Sequence, residues 1–369
     1  MVEKTLILLN EHMDGLVTTL ECIAAIEQAY MELGEGIAQE LPRRRIYHPR
    51  KELQDHYYWF NEMAGVVPGM STMALRVNSA TVNVTTKRGN ARFGFPGPFS
   101  GLVFLYDTRS NELISIIQDF YLNPIRVAAT SAIVTKRLAR DDAKVMGLFG
   151  SGTQAILQLE YNCAVTHVEE VRIYSTRRER RESVARRMNQ AVNAKVFSVD
   201  HPREAVEGCD IVTTATNSNE PVFNGDWLQP GTHVNTMLGT DGFLPRRETD
   251  DKTVAKSDII VVNSKESVKL DKQPELYKPL MRGEIGWDDI YEVGDLLVKK
   301  KLHGRSGASQ ITYHHNNVGM GIQFAALGRL IYEKAKEQKR GIEIDSRLFM
   351  QFDEDLRAVR DKAFLHLDK

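Results

Sequence analysis

Ala143-Lys-Val-Met-Gly-Leu-Phe-Gly-Ser-Gly-Thr-Gln-Ala-Ile156, continued by Val171-Arg-Ile-Tyr-Ser-Thr-Arg-Arg178, is the stretch whose reading decides the fold. Val145 to Phe149 is a short apolar run of the length of a buried parallel strand. It ends in Gly150-Ser151-Gly152-Thr153-Gln154-Ala155 and gives way to a helical pattern carrying Ile156, Leu157, Leu159 and Ala164. Strand, glycine turn and helix in that order give the motif a mechanism. Gly150 permits the tight turn, Gly152 lets backbone approach a pyrophosphate, and small Ala155 lets the helix pack on the strand. The free N–H groups and the dipole of the helix start then favour phosphate. A second strand, Glu170 to Tyr174, completes a βαβ unit, so Gly150, Ser151, Gly152, Thr153 and Gln154 are expected to hold a dinucleotide.

The end of the second strand bears on which dinucleotide. An acid there would bond the ribose 2′-hydroxyl of NAD(H). This chain has Ser175, Thr176 and Arg177 instead, with no acid before Glu179. Hydroxyls and a planar, permanently charged guanidinium suit a 2′-phosphate. NADP(H) is therefore favoured, with NAD(H) possible. Arg180, Arg181, Arg186 and Arg187 follow on the same segment, and a solvated basic helix start is the alternative reading of the cluster.

The 369 residues suffice for two domains with a sizeable core. A hydrophobic fraction of 42% and a formal charge of −1 point to a soluble globular chain with no nucleic-acid or membrane partner. No apolar run approaches a membrane span, and the start is too short and too acidic for a secretory signal. Three scattered cysteines, Cys22, Cys163 and Cys209, fit a reducing cytoplasm and no disulfide framework.

Working outward, residues 5–9 read as a strand and 19–34 as an amphipathic helix closed by Gly34, followed by an extended proline-bounded stretch from Glu40. Residues 57–64, 73–85 and 101–118 read as strands, with Asp107–Asn111 a hairpin turn. A helix is expected to open at Asn123-Pro124, Asn as cap and Pro at the first helical position. Beyond the glycine turn, the short apolar runs 195–199, 211–214, 232–237 and 259–262 alternate with helical segments, as in a doubly wound parallel sheet. Near 311–317 the chain leaves that unit. A last helix, from Val318 to about Lys336, is expected to return to the N-terminal unit.

These stretches together make the chain resemble the ornithine cyclodeaminase/mu-crystallin family. The matching pieces are Pro42-Arg43-Arg44, Asn123-Pro-Ile-Arg126-Val-Ala-Ala-Thr-Ser-Ala132, the glycine turn, Gly231-Thr-His-Val-Asn235 with Gly239-Thr-Asp241, and Gly304-Arg305 leading to Ile311-Thr312. The resemblance implies an α/β fold: a Rossmann doubly wound parallel sheet over 126–317, plus a discontinuous α/β substrate-binding and dimerisation domain from 1–125 with 318–369. It implies a homodimer, and a cofactor set completed by Thr214, Ala215, Thr216, Met237 and Val318.

Its carboxylate-gripping arginines carry over to Arg44 and Arg126, a role that suits a guanidinium's bidentate fork; ordinary ion pairs are the alternative. The family's lysine is replaced by Arg76. Arginine can bind a carboxylate but cannot give up its proton to act as base. The acid that precedes that lysine falls near Glu62 or Met63. Asp241 is the candidate general acid/base, with Thr240 competing for the position and a Thr-Asp-Gly turn as the plain alternative. Where the family has an aromatic residue, Asp-Ser, a glycine and an acid, this chain has Tyr313-His-His-Asn-Asn-Val-Gly319 leading to Gln323.

The implied activity is an NADP(H)-dependent oxidoreductase acting on the C–N bond of a small, carboxylate-bearing imine or α-amino acid. Alternatives are a redox-neutral cyclodeaminase-like lyase using bound NAD+, or a non-catalytic mu-crystallin-like binding protein. No metal is expected: His314 and His315 are adjacent on an extended segment and face opposite ways, and no motif supplies partners to them or to His233.

Overall fold

The computed structural model describes residues 4–87, 90–237, 243, 246–353, 355, 357 and 359. The chain opens with β1 (Lys4–Leu8) and α1 (Thr19–Glu35). Thr18 and Glu21 cap α1 reciprocally, and the helix ends at Gly36, in the left-handed region at φ +79, two residues beyond the expected Gly34. Six strands follow: β2 (Gln39–Pro49), β3 (His56–Val67), β4 (Thr72–Lys87), β5 (Asn90–Gly94), β6 (Ser100–Asp107) and β7 (Leu113–Gln118). The Asp107–Asn111 hairpin forms as its sequence suggests, Asn111 taking φ +63 and donating its N–H to the Asp107 carbonyl.

α2 (Asp119–Leu138) begins four residues before the expected Asn123. Pro124 thus lies inside the helix rather than at its first position, where it can make no bond to the Phe120 carbonyl. The remaining elements are β8 (Val145–Phe149), α3 (Thr153–Val165), β9 (Glu170–Tyr174), α4 (Arg178–Met188), β10 (Lys195–Ser198), β11 (Ile211–Thr214), β12 (His233–Thr236), α5 (Asp251–Ala255), β13 (Ile259–Val262), α6 (Lys265–Asp271), α7 (Pro274–Arg282), β14 (Ile290–Glu292), α8 (Val293–Leu297), β15 (Thr312–His315), α9 (Gly321–Glu337) and β16 (Ile342–Asp345).

The second sheet is wholly parallel, in the order β10-β9-β8-β11-β12-β15-β13-β14. Its central strands are nearly continuous buried runs, as a sheet covered on both faces requires. Strand order reverses between β8 and β11, the crevice where an open α/β sheet binds ligands. Residues 312–315, just before the expected exit from this unit, form its inserted strand β15, between β12 and β13.

The first sheet runs β16-β1-β7-β6-β4-β3-β2, with β5 on β4. Burial alternates along it. One face, with Met63, Ala74, Arg76, Val103 and Leu105, packs under α9, whose Gly321 lies so close to Ala64 and Gly65 that a Cβ would clash with their backbone. The other face carries Ile46, Phe60, Leu75, Val77 and Phe104, partly or fully exposed. The chain thus re-enters the first sheet after the second is complete, through α9 and then β16 on β1.

Candidate active site

The glycine turn behaves as its sequence requires. Gly150 adopts φ +124, and a Cβ there would lie 2.3 Å from the Ala215 carbonyl oxygen, so only glycine fits. Gly152 caps α3 and faces open space, leaving its backbone accessible to a ligand. Around the turn lies a cavity of about 760 Å³ lined by Gly150, Ser151, Gly152, Thr153, Gln154, Ser175, Thr176, Arg177, Ala215, Thr216 and Met237. Eleven of the thirteen residues expected at the cofactor line this one space. Thr214 lies beneath its rim, fully buried, and donates its hydroxyl to Glu248. Val318 borders a different cavity, of about 430 Å³, with Glu40, Arg43 and Ser264. Its carbonyl accepts from Asn263 at the end of β13, which draws it to that side of the sheet.

The far end of the large cavity is cationic. Ser151 and Ser175 hydroxyls lie 3.0 Å apart and tie the glycine turn to the end of β9. Arg181 is committed to Asp200 and the Ser175 carbonyl, and stacks on Tyr174. Arg178 pairs with Glu182. Arg177 and Arg180, both exposed, remain on the rim, and Arg246 lines the same wall. No carboxylate lines this end among the described residues, and the glycine turn with the start of α3 fits the pyrophosphate of a dinucleotide.

Two further arginines are buried. Arg76 on β4 donates to Asp119 through Nε (2.8 Å) and Nη2 (2.5 Å), and to Asn61 Oδ1 through Nη1 (2.8 Å). Arg126, the eighth residue of α2, has among the described residues only amide acceptors: Asn123 Oδ1 at 2.8 Å and Gln323 Oε1 at 3.2 Å. Both guanidiniums lie over the Phe324 ring, at 5.6 and 5.5 Å from its centre. Gly319 presses on the Arg126 guanidinium so closely that any side chain there would displace it. Burial, then the neighbouring Arg76, pull the Arg126 pKa down to about 10. Two guanidiniums facing one carboxylate leave a net positive charge in a poorly solvated place, a setting that favours an anion. Because Arg126 lies past the first turn of α2, the helix dipole contributes little to it. Gln154 joins this cluster to the cavity: it lines the cavity and donates to the Pro124 carbonyl (3.3 Å), two residues before Arg126.

Arg44 and Glu62 are placed elsewhere. They stand opposite each other in register on the exposed face, away from Arg76. A bulge between Leu41 and Arg44 sets which arginine turns inward, and it is Arg45, with Arg43, that reaches across to Asp271 of α6. Asp241 lies outside the described residues.

Sequence reading missed three supports. Glu248 accepts from the Thr214 hydroxyl and from the Thr216 N–H and hydroxyl, fixing the loop after β11. Gln323 orders the Arg126 side, donating to Tyr30 Oη and Thr130 Oγ1 at 2.9 Å each. Glu40 accepts from the Gly321 and Ile322 N–H groups at the start of α9, and burial raises its pKa to about 8. Their sequence signals are single polar residues in apolar surroundings. The buried histidines of β12 and β15 are structural: His233 Nδ1 meets Thr312, His315 Nδ1 meets Thr236, and His314 lies between Asn235 and Asn263.

The family model described as the ornithine cyclodeaminase/mu-crystallin family matches residues 3–339. A Delta(1)-pyrroline-2-carboxylate reductase of Bacillus cereus is 30% identical over 285 residues, 77% of this chain and 83% of that one. Among solved structures, Thermococcus litoralis Delta(1)-pyrroline-2-carboxylate reductase in complex with NADH and L-proline matches with a TM-score of 0.80 and 28% identity, over 92% of this chain and 100% of that one. An archaeal alanine dehydrogenase dimer with bound NAD matches with a TM-score of 0.77 and 25% identity, over 92% and 99%.

Proposed function

The chain belongs to the ornithine cyclodeaminase/mu-crystallin family, and from that premise we propose that it is an NADP(H)-dependent oxidoreductase acting on the C–N bond of a small carboxylate-bearing imine or α-amino acid. The observation that carries the reading is the buried pair Arg76 and Arg126 with, among the described residues, the one counter-charge Asp119. A substrate carboxylate would complete the charge balance there, held by the fork of Arg126. Arg76 is tied to Asp119 and Asn61, so its part is to keep the site positive and rigid rather than to move a proton. The dinucleotide, when bound, supplies the hydride acceptor or donor. In the oxidative direction the substrate Cα gives up a hydride and its ammonium loses one proton, leaving the protonated imine, reduced cofactor and one free proton. Asp241, four residues past cavity-lining Met237, is our candidate to take the nitrogen proton. Glu62, exposed on the opposite face of the sheet, is not part of that chemistry.

The preference for NADP(H) rests on Ser175, Thr176, Arg177 and Arg180 at the acid-free end of the cavity. The partly exposed apolar face of the first sheet, with Ile46, Phe60, Leu75 and Phe104, is our candidate for homodimer contact; the matched alanine dehydrogenase is itself a dimer.

The test is a panel of amino acids with oxidised cofactor, and of imines with reduced cofactor, followed by nicotinamide absorbance and ammonia release. Cofactor turnover with tight NADPH binding is expected. Ammonia without net change in absorbance would make the protein a redox-neutral lyase. Binding of cofactor with no reaction across the panel would make it a binding protein.

A further inference from the structure

The inner face of the first sheet is only half covered by α9. Beyond Met63 and Arg76, which α9 overlies, the strands continue, and their inward side chains include three aromatic rings, Tyr47, Tyr57 and Trp59. Cross-strand register sets them in rows: Met63 beside Arg76, then Asn61 beside Asn78, then Trp59 between Tyr47 and Ala80, then Tyr57 beside Val82. Side chains alternate strictly along a strand, so every residue in these rows shares the face of Arg76. The wall therefore starts at the proposed carboxylate site and runs away from it, row by row.

The nucleotide-binding unit closes over this wall. Met237 and Arg246 both line the dinucleotide cavity, and between them Phe243 reaches across. Its ring stacks on Tyr47, with centres 4.3 Å apart, and meets Tyr57 edge-on at 4.9 Å. From the other side, Phe95 leans on Trp59 at 5.4 Å. Phe95 is nonetheless 56% exposed and Phe243 38%. These rings touch one another but leave apolar surface for something more. Within the wall, Asn78 is 5% exposed yet its Oδ1 has no partner among the described residues, and the Trp59 indole N–H likewise has none. A side-chain subsite for alanine or proline needs neither this extent of aromatic surface nor these polar atoms.

We infer that the substrate is an α-amino or α-imino acid with a large aromatic side chain, seated against Trp59 and Phe95 while its carboxylate sits at Arg126. This rests on the oxidoreductase reading for the position of the carboxylate, and it adds the side-chain class. An aromatic substrate ring would cover the exposed edges of Phe95 and Phe243, and ring–ring contacts add to the area it buries. Pocket complementarity of this kind sets selectivity through kcat/KM.

The experiment compares L-alanine, L-proline, L-phenylalanine, L-tyrosine and L-tryptophan as substrates of the full chain with NADP+ and with NAD+. Aromatic substrates are expected to exceed alanine and proline in kcat/KM by tenfold or more. Trp59→Ala should lower the aromatic values at least tenfold, Trp59→Phe should recover most of the loss, and neither should move NADPH affinity more than twofold. Because Trp59→Ala removes a partly buried ring, the exposed Phe95→Ala is the second variant, expected to narrow the aromatic preference at an unchanged melting temperature. Alanine or proline used as well as the aromatics, or a preference untouched by both variants, overturns the inference. Should no amino acid react, the oxidoreductase reading falls separately. Calorimetry of L-phenylalanine against L-alanine on the NADP+-loaded protein then still decides the side-chain class: tenfold tighter binding of phenylalanine upholds it, and equal binding rejects it.

Discussion

Two clusters of arginine lie at opposite ends of the cleft, and they use the same guanidinium differently. Arg177 and Arg180 stand in water on the rim of the dinucleotide cavity. There a charge costs little to maintain and its attraction for phosphate is screened. Arg76 and Arg126 are buried, 5% and 8% exposed, against one ring and one carboxylate. There each charge must be matched, and an unmatched one is held only because surrounding packing enforces it. Exposure, more than residue type, separates a surface that attracts a ligand from a socket that requires one.

The sharpest way to break this comparison is Asp119→Asn. It should leave two buried guanidiniums without counter-charge and destabilise the fold by about 3–5 kcal/mol, read by chemical denaturation. A loss under about 1 kcal/mol would mean that the pair is solvated like a surface bridge. Next comes Arg126→Met, which keeps bulk and removes charge. Substrate kcat/KM should drop by about 2–4 kcal/mol, with NADPH affinity unchanged and the thermal midpoint held or raised, since Arg126 pairs with no carboxylate among the described residues. A midpoint falling along with both ligand affinities would make Arg126 a structural ion-pair member instead. On the rim, Arg177→Ala should weaken NADPH by about 1–2 kcal/mol, leave NADH and stability alone, and matter less as salt rises. Equal affinity for the two cofactors in the unmutated chain would dispose of the rim's role.

The smallest expected effect is on pH. Glu40 and Glu275, raised by burial to about 8, bind protons in the folded state that the unfolded chain has released above about 4.5. They contribute stability at low pH that is lost as pH climbs through 8. His233 and His315, lowered by burial to about 3, contribute stability that is lost as pH falls below about 6.5 toward 3. The two sets oppose each other between about 4.5 and 6.5, so the melting temperature should fall from 6.5 to 8. A rising midpoint over that interval would show that those carboxyls are charged in the fold.

How much of this was legible in the sequence follows the same division. β8, β11 and β13 coincide with buried runs because a parallel strand covered on both faces has little polar alternation to obscure it, whereas β9, with Glu170 and Arg172, alternates and was legible from its place after the glycine turn. β15 was hidden because its polar residues, Thr312, His314 and His315, are satisfied chiefly by groups about 50 to 175 positions away, the Leu138 carbonyl among them. The glycine turn and the Arg126 helix could be read locally. The facing of β2 could not. One bulge between Leu41 and Arg44 decides whether Arg44 or Arg45 looks into the cleft, and nothing in Pro42-Arg43-Arg44-Arg45 announces it. The start of α2 was misplaced because Asn123-Pro124 has the chemistry of a cap. In the fold, the Asn123 side chain serves Arg126 instead.

The return of α9 and β16 to the first sheet has a consequence on the ribosome. Strands β1 to β7 leave the exit tunnel early, but the helix that covers their inner face follows only after the whole parallel sheet has been made. Roughly 200 residues separate the end of α2 from the end of α9, about 10–40 s of synthesis at ordinary rates. For that interval Val103, Leu105 and Met63 lack their cover, and the β1 edge lacks β16. The N-terminal unit is therefore the last to become native although it is the first to be made. A nascent chain stalled before Gly321 should be bound by chaperones along that apolar face, while the nucleotide-binding unit behind it is already able to hold its cofactor.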